Sequence, residues 1–138
     1  MSSFQSSSSL NTKVVKKLTA LIVDDDIVVL MVHKALLRKF DVETHEAKNG
    51  QEAVHAHHNG SCFDLIMMDL DMQNIFYIIQ ATKELRDMHV DRLIVGMTSR
   101  EKGEEEKSFM DVGLDYYYQK PLTIDVVRDL VEKIKENA

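Results

Sequence analysis

The sequence contains a single cysteine, Cys62, among its 138 residues. One cysteine excludes an internal disulfide framework and suits a reducing compartment. No apolar run approaches the roughly 20 residues that a membrane-spanning helix needs, and residues 1–17 lack the apolar centre of a signal peptide. We therefore expect an intracellular protein, in the cytosol and/or the nucleus, with no membrane partner.

Basic residues are outnumbered by acidic ones. Seventeen Lys and Arg stand against 23 Asp and Glu, which gives a formal net charge of −6 at pH 7. Lys13, Lys16 and Lys17 all lie in the first 17 residues, which hold no acidic residue. The rest of the chain is therefore more acidic still, and its repulsion of a phosphate backbone argues against a nucleic-acid partner.

Serine dominates the start of the chain, where Phe4 and Leu10 are isolated apolar residues. Such a segment cannot bury enough surface to offset the entropy of ordering. We expect residues 1–17 to form a flexible Ser-rich tail. Residues 18–138 then form one domain, which is long enough to bury its own core.

Short apolar runs alternate with longer amphipathic ones beyond residue 17. Leu18–Val23, Phe63–Met68 and Arg92–Met97 lack polar alternation, as strands buried on both faces do. Val42–Ala47 and Asp115–Gln119 are weaker strand candidates. Five such strands, each followed by apolar residues at helical spacing, predict an α/β fold: a five-stranded parallel sheet, doubly wound as (βα)5.

Three of the predicted helices have individual features in the sequence. His33 is interpreted as a residue at the surface or boundary of the first helix. The second helix starts at a capping-box pattern, Asn49–Glu52, and stops at Asn59-Gly60. The fourth, between Glu101 and Val112, has few large apolar side chains, so we interpret it as a weakly anchored switch element or a solvated surface helix.

Polar side chains follow the predicted strands at their carboxyl ends, where doubly wound sheets gather functional residues. They are Asp24, Asp25 and Asp26 after the first strand, Asp69 after the third, Thr98 after the fourth and Lys120 after the fifth. We expect Asp24, Asp25 and Asp69 to converge within a few ångströms.

Three converging carboxylates require a compensating charge. At an effective dielectric constant near 20, each close pair of carboxylates costs about 4 kcal/mol. The site must therefore hold a cation or take up protons. Mg²⁺ together with the Lys120 ammonium would balance three negative charges, and ligands that are all oxygen favour Mg²⁺ over zinc or copper.

Four segments resemble the receiver domain of two-component response regulators, in that family's order and spacing. They are LIVDDD (Leu21–Asp26), DLIMMD (Asp64–Asp69), VGMTS (Val95–Ser99) and GLDYYYQKP (Gly113–Pro121). The resemblance covers essentially all of residues 18–137 and looks most like the plant single-domain regulators of cytokinin-type phosphorelays. It implies the flavodoxin-like strand order 2-1-3-4-5.

The resemblance implies a phosphoacceptor beside a metal ion. Asp69 matches the acceptor, whose carboxylate takes a phosphoryl group from a phosphohistidine and later loses it by hydrolysis. Asp25 matches the direct Mg²⁺ ligand, and Asp24 holds the ion mainly through water. Asp69 and the backbone carbonyl of Asp71 would complete the protein's share of the ligands.

The resemblance also implies groups that bind the phosphoryl oxygens and respond to them. Lys120 would pair with one oxygen and the Thr98 hydroxyl with another. Tyr117 matches an aromatic residue that swings inward when the threonine moves. A carboxylate, Mg²⁺ and an ammonium group suit phosphoryl transfer, which depends on in-line positioning and charge stabilisation.

The implied partner is a histidine phosphotransfer protein or a histidine kinase. A receiver of this kind catalyses its own phosphorylation and dephosphorylation. Because no output domain follows, we expect a stand-alone receiver. Its output would be a partner interaction or the removal of phosphoryl groups from histidine phosphotransfer proteins, and the plant regulators suggest the second.

The loop after the acceptor departs from the family's usual Met-Pro-x-Met-Asp-Gly. Here the run Met72–Tyr77 has no proline, which frees the loop that presents the Asp71 carbonyl. It also has no glycine, which removes easy access to positive φ. Both changes bear on metal affinity and on the rate of phosphotransfer. We favour burial of Phe76, Tyr77 and Ile79 as neighbours of Ile75 and Ile78. The alternative is that they form an apolar docking edge beside the acceptor.

Two charged residues could set the lifetime of the phosphoryl group. Asp71 lies two residues after the acceptor, and Arg100 lies two residues after Thr98. Both would border the path of a hydrolysing water. We hypothesise that they pair across the mouth of the site and set the rate of autodephosphorylation.

Two other functions are open. Asp69-Leu70-Asp71 could be the DxD of a haloacid-dehalogenase-type phosphatase, with the first Asp as nucleophile and the second as general acid–base. That family places DxD on its first strand, whereas here Asp24–Asp26 comes first. A degenerate receiver that acts only as a binding module is the other alternative, motivated by the altered loop after Asp71.

Overall fold

The computed structural model describes residues 17–71, 75–101 and 105–137. The Ser-rich tail expected over residues 1–17 lies outside these ranges, apart from Lys17. Five strands alternate with five helices in the described ranges. In chain order they are β1 (Thr19–Val23), α1 (Ile27–Arg38), β2 (Glu43–Ala47), α2 (Gly50–His58), β3 (Leu65–Asp69), α3 (Ile75–Asp87), β4 (Leu93–Thr98), α4 (Glu105–Asp111), β5 (Tyr116–Gln119) and α5 (Ile124–Glu136).

The strands form a parallel sheet in the order β2-β1-β3-β4-β5. This confirms the predicted α/β fold and the flavodoxin-like order implied by the resemblance. Four predicted strands lie within one residue of the observed ones at each end. β3 differs, because it begins two residues later and includes Asp69, which pairs in register with Met97 of β4.

Alternate strand residues face two separate apolar layers. Ile22 and Met67 point to the layer that contains side chains of α1 and α5. Val23 and Met68 point to the layer that contains side chains of α2, α3 and α4. All five residues of β3 are buried, so the continuous apolar run of this strand has the expected cause: helices cover the sheet on both faces.

Side-chain caps start α1 and α2. Asp26 Oδ1 accepts hydrogen bonds from the backbone N–H groups of Val28 (2.9 Å) and Val29 (3.3 Å). Asn49 Oδ1 accepts from Glu52 N at 2.9 Å, as the capping-box pattern predicts. The third aspartate after β1 therefore stabilises the start of α1 instead of adding another carboxylate to the metal-binding candidates.

The described helices run from seven to 13 residues, and none of them is long and apolar enough to cross a membrane. α4 is the seven-residue helix; residues 102–104 of the helix predicted between Glu101 and Val112 lie outside the described residues. Among the α4 side chains that the structure describes, Phe109 is buried, and Met110 is 38% exposed. One aromatic side chain therefore supplies most of the apolar contact of α4 with the rest of the domain.

His33 is fully buried, so its interpretation as a surface or boundary residue is wrong. It shares the inner face of α1 with Leu30 and Leu37. Its Nε2 accepts a hydrogen bond from the backbone N–H of Leu122 at 3.1 Å. Burial, reinforced by the nearby Lys120 charge, lowers the pKa of His33 to about 4. The imidazole is therefore neutral at pH 7 and ties α1 to the loop after β5.

Stability should fall in acid because of His33. The folded-state pKa of about 4 lies below the ordinary value of 6.5, so the unfolded chain binds the extra proton first as the pH drops below 6.5. The contribution is fully present above that pH and decreases toward pH 4. We expect a loss of about 2 kcal/mol in the free energy of unfolding by about pH 5, measured by urea titration.

His33→Gln is the matched variant, because it keeps an acceptor for Leu122 and cannot titrate. Its free energy of unfolding should decrease less than that of the wild type over the same pH interval. Parallel pH profiles for the two proteins would contradict this assignment.

Candidate functional site

Four strands end at one group of polar side chains, which we call the carboxyl-edge site. Asp24 follows β1, Asp69 ends β3, Thr98 ends β4 and Lys120 follows β5. The backbone N–H of Lys120 donates to Thr98 O at 2.6 Å, which continues the β4–β5 ladder to the edge of the sheet. Parallel pairing thus brings residues from distant parts of the chain to one place.

Three carboxylates converge at this edge. Asp24, Asp25 and Asp69 each offer a carboxylate oxygen, and these oxygens all lie within 4.8 Å of one another. Asp24 and Asp69 are buried, whereas Asp25 is exposed. Asp24 Oδ1 accepts from Asp26 N at 2.9 Å, but the buried Asp24 Oδ2 has no hydrogen-bond partner among the residues that the structure describes.

These oxygens fit a divalent cation. A buried carboxylate oxygen without a donor is unfavourable, and a positive ion beside it would remove that penalty. Exposed Asp25 leaves the cluster open to solvent, so that a bound Mg²⁺ could keep the water ligands it retains in proteins. Asp24, Asp25 and Asp69 are the side chains that could hold it.

Lys120 supplies positive charge inside the cluster. Its Nζ lies 2.8 Å from Asp69 Oδ1, 3.2 Å from Asp71 Oδ2 and 3.5 Å from Asp24 Oδ2. Burial by itself would lower the pKa of Lys120, but the hydrogen bond and charge of Asp69, with Asp24 and Asp71, raise it above its ordinary value. Lys120 therefore stays protonated.

Burial and hydrogen bonding have opposite effects on the pKa of Asp69, and the effect of burial is the larger. Burial raises the pKa of Asp69, although the hydrogen bonds from Lys120 and from the backbone N–H of Asp71 act in the opposite direction. That N–H donates to Asp69 Oδ1 at 2.9 Å. Asp69 is thus a carboxylate held in a fixed orientation at the end of a buried strand, as a positioned nucleophile must be.

Asp71 accepts hydrogen bonds across the gap between β3 and β4. Its Oδ1 accepts from Thr98 Oγ1 at 2.6 Å, and its Oδ2 accepts from Ser99 N at 2.7 Å. Burial alone would raise the pKa of Asp71, but the hydrogen bonds from Thr98, Ser99 and Lys120 outweigh it and hold the pKa at about 2. Arg100 Nε lies 3.9 Å from Asp71 Oδ1.

The Asp71–Arg100 pair was predicted from the sequence, whereas the closer partners of Asp71, Thr98 and Ser99, were not. Thr98 and Ser99 lie at the end of β4, which is the neighbour of β3 in the sheet. A signal for these contacts was available, because residues just beyond the ends of two adjacent parallel strands face each other. Which of those residues touch depends on the loop conformations, which the strand pattern does not specify.

Tyr117 lies on the opposite side of β5 from its neighbours. It pairs in register with Gly96 of β4 and packs, half-buried, against the layer that contains Phe109. Tyr116 and Tyr118 face the other layer, with ring centroids 6.2 Å apart. Strand alternation thus separates the three tyrosines into two faces and places Tyr117 beside α4.

The carboxyl-edge site opens into a cleft of about 510 Å³ with an apolar wall. Val28, Val29 and Val32 of α1 line that wall. The outer face of α1 continues it, because Ile27, Val28 and Met31 are each about two-thirds exposed. An exposed apolar surface thus borders the charged cluster.

Phe76 and Tyr77 are also exposed, so the favoured interpretation that they are buried is wrong. Their exposed fractions are 62% and 58%, and their rings meet edge to face with centroids 6.1 Å apart. Among the described side chains of α3, Ile78, Ala81 and Leu85 are buried at helical spacing, and Phe76 and Tyr77 point away from that face. Ile79 is partly buried against the same apolar layer. Residues 72–74 of the altered loop lie outside the described residues.

Comparison with known proteins supports one family. The family model of the response regulator receiver domain matches residues 20–132. Two-component response regulator 24 of Arabidopsis thaliana is 42% identical over 118 residues, which are 86% of this chain and 84% of that protein. Two-component response regulator ARR22 of the same plant is 43% identical over 110 residues, 78% of this chain and 77% of that protein.

A solved structure supports the fold. A response regulator from Thermotoga maritima is similar with a TM-score of 0.76 and 21% sequence identity, and the match covers 88% of this chain and 99% of that one. At this level of identity the likeness bears on architecture alone.

Mg²⁺ should stabilise the protein through the carboxylate cluster. A ligand that binds only the folded state raises its stability, so we expect Mg²⁺ to raise the melting temperature. Asp25→Asn should reduce that increase, because it removes one ligand oxygen and one negative charge. It should also raise the melting temperature without Mg²⁺, because it relieves repulsion among the three carboxylates.

Asp91→Asn is the control, since it removes the same charge at an exposed residue just before β4, at the opposite edge of the sheet. Thermal unfolding is followed with and without MgCl₂, at constant ionic strength. The same Mg²⁺ response in Asp25→Asn and Asp91→Asn would rule out a metal site at this cluster.

Proposed function

The chain belongs to the response regulator receiver domain family, and we propose that it is a phosphoacceptor in a histidine-to-aspartate phosphorelay. Receiver domains accept phosphate from histidine kinases or phosphotransfer proteins. The proposed acceptor is Asp69. The observation that carries this proposal is the position of its carboxylate, which ends a buried strand 2.8 Å from the Lys120 ammonium.

The proposed reaction transfers one phosphoryl group between two proteins. A carboxylate oxygen of Asp69 attacks the phosphorus of a phosphohistidine, a P–O bond forms and the P–N bond breaks. The electron pair stays on the imidazole nitrogen of the partner, and the product here is an aspartyl phosphate. Lys120 offers a fixed positive charge to the phosphoryl oxygens throughout, so little reorganisation is needed during transfer.

Receiver domains generally use Mg²⁺ at an acidic pocket, and the carboxylate cluster supports the same use here. Asp24, Asp25 and Asp69 would hold the ion, with the backbone carbonyl of Asp71. When bound, Mg²⁺ would supply positive charge to the phosphoryl oxygens. Asp25 would be the direct ligand, and Asp24 would act mainly through water.

After transfer, two further residues would respond to the new charge. The Thr98 hydroxyl would donate a hydrogen bond to a phosphoryl oxygen. Tyr117 would move inward with the threonine, and its position beside the Phe109 layer supports a link to α4. A change in charge at Asp69 would thus become a change in packing on one face of the domain.

A protein donor is supported by the surface around the cleft. The exposed apolar face of α1, with Ile27, Val28 and Met31, borders the acceptor and would be covered by a docked protein. We propose a histidine phosphotransfer protein as its occupant, because Val28 and Val32 line the same cleft as Asp69. A histidine kinase is the other candidate donor.

The plant relatives support a finer assignment. We propose that this receiver acts in a plant cytokinin-type phosphorelay in the cytosol and/or nucleus. There it would drain phosphoryl groups from histidine phosphotransfer proteins through repeated phosphorylation and hydrolysis. The phosphatase alternative has less support, because a general acid–base at Asp71 would need a pKa near neutrality, whereas its hydrogen bonds hold that pKa at about 2.

Transfer from a phosphorylated histidine phosphotransfer protein tests the proposal. With Mg²⁺ present, we expect the wild type to take up radiolabelled phosphate in a form that hydroxylamine releases, as an acyl phosphate. Asp69→Asn should take up none, because it lacks the nucleophilic carboxylate. Asp41→Asn, at an exposed acid after α1, should take up label like the wild type.

An unlabelled but folded wild-type protein that still binds its partner would support the binding-module alternative instead. Uptake of label by Asp69→Asn would show that another residue is the acceptor. Either result overturns the proposed role of Asp69.

Asp71 and Arg100 are proposed to set the lifetime of the aspartyl phosphate. A carboxylate beside the phosphoryl group can orient the hydrolysing water, and Arg100 partly neutralises it across 3.9 Å. We expect Asp71→Asn to lengthen the half-life several-fold and Arg100→Ala to shorten it. The decay of purified phosphoprotein measures both, with Arg38→Ala as a control at the far end of α1. Unchanged half-lives in both variants would refute this role.

A further inference from the structure

The Asp71 carboxylate occupies donors that an aspartyl phosphate would need. Thr98 Oγ1 donates to Asp71 Oδ1 at 2.6 Å, and Lys120 Nζ lies 3.2 Å from Asp71 Oδ2. The backbone N–H of Ser99 donates to Oδ2 at 2.7 Å. We call Asp71 with these three donors the Asp71 clasp.

We propose that the Asp71 carboxylate takes the place of the phosphoryl group in the unphosphorylated protein. Asp71 must release Thr98 and Lys120 before the phosphoryl group on Asp69 can bind them. The inference rests on the proposed function, which assigns those two donors to phosphoryl oxygens. The inference adds that Asp71 competes with the phosphoryl group for these two donors in the unphosphorylated protein.

Competition follows from the number of protons available. A hydroxyl has one proton to donate, so Thr98 can donate to Asp71 or to a phosphoryl oxygen but not to both. Thr98 is 1% exposed, which leaves solvent little access as a third partner. The ammonium of Lys120 has three protons, but it already donates to Asp69 and Asp71 and forms an ion pair with Asp24 at 3.5 Å.

The hydrogen bonds that form the Asp71 clasp are short and go to a charged acceptor. Hydrogen bonds to ionised acceptors are shorter and stronger than neutral ones, and the bonds from Thr98 and Ser99 are at the short end of the usual range. Both oxygens of Asp71 are engaged, and the hydrogen bonds keep it ionised. A phosphoryl group at Asp69 therefore meets an anion that already fills the place of its hydrogen bonds.

The geometry also provides a way to open the clasp. The backbone N–H of Asp71 donates to Asp69 Oδ1 and fixes the backbone at this residue, so the clasp would open by a movement of the side chain. That side chain is 20% exposed, and Arg100 lies 3.9 Å away on the exposed side. Rotation toward Arg100 would keep the carboxylate paired while Thr98 turns to the phosphoryl group.

Binding of beryllofluoride, a tetrahedral phosphoryl analogue, tests the clasp at saturating Mg²⁺. Removing the competitor should tighten apparent binding, so we expect Asp71→Ala to lower the dissociation constant on the order of tenfold. Asp71→Asn keeps an acceptor for Thr98 and should give a smaller gain. Glu101→Gln, which removes an exposed charge next to Arg100, is the matched control and should bind like the wild type.

A double-mutant cycle with Thr98→Val separates the clasp from simple charge repulsion. Loss of a negative charge would help an anionic analogue equally in both backgrounds. The clasp predicts a smaller gain from Asp71→Ala when the Thr98 hydroxyl is absent, because there is no hydroxyl to release. Unfolding transitions are recorded first, and Asp71→Asn, which preserves shape, carries the cycle if Asp71→Ala does not fold.

The outcomes distinguish this inference from the proposed function. Equal gains in both backgrounds, or no gain from either Asp71 variant, would overturn the clasp while the wild type still binds the analogue at Asp69. Failure of the wild type and of every Asp71 variant to bind beryllofluoride would overturn the proposed function, and the clasp with it.

Discussion

The attraction between one buried ammonium group and the carboxylates around it is the interaction on which this site depends. Lys120 comes from the end of β5, and its partners Asp24, Asp69 and Asp71 come from β1 and β3. Without that charge, several carboxylates would repel one another in a partly buried space. With it, the cluster still has an excess of negative charge, and that excess makes the edge receptive to a divalent cation.

The fold supports this arrangement by fixing the strand ends and leaving the side chains adjustable. β3 is buried over its whole length, so Asp69 is held by the ladder to β4. His33 adds a tie from α1 to Leu122, two residues after Lys120. A rigid sheet therefore carries a site whose own charges oppose folding, a combination common where function requires unfavourable groups in close proximity.

The Asp71 carboxylate occupies the same donors that a phosphoryl group on Asp69 would use. In the resting protein it already serves as the anion that Thr98, Ser99 and Lys120 bind, so phosphorylation would exchange one anionic acceptor for another. Under the proposed function, such an exchange would favour a phosphorylated state of short life. A short life would suit the proposed removal of phosphoryl groups from a carrier better than the storage of a lasting signal.

The fold, and the convergence of the main carboxylates, could be predicted from the sequence alone. Apolar runs without alternation mark buried parallel strands, and parallel strands place their carboxyl ends together, which brings Asp24 and Asp69 to one edge. Tertiary structure decided which residues touch beyond the strand ends. His33 lies on the inner face of α1, where a backbone N–H from a distant loop donates to its imidazole. Asp71 accepts a hydrogen bond from Thr98 because two loops approach across adjacent strands. Such contacts depend on loop conformation and side-chain packing, and hydrophobic periodicity carries no information about either.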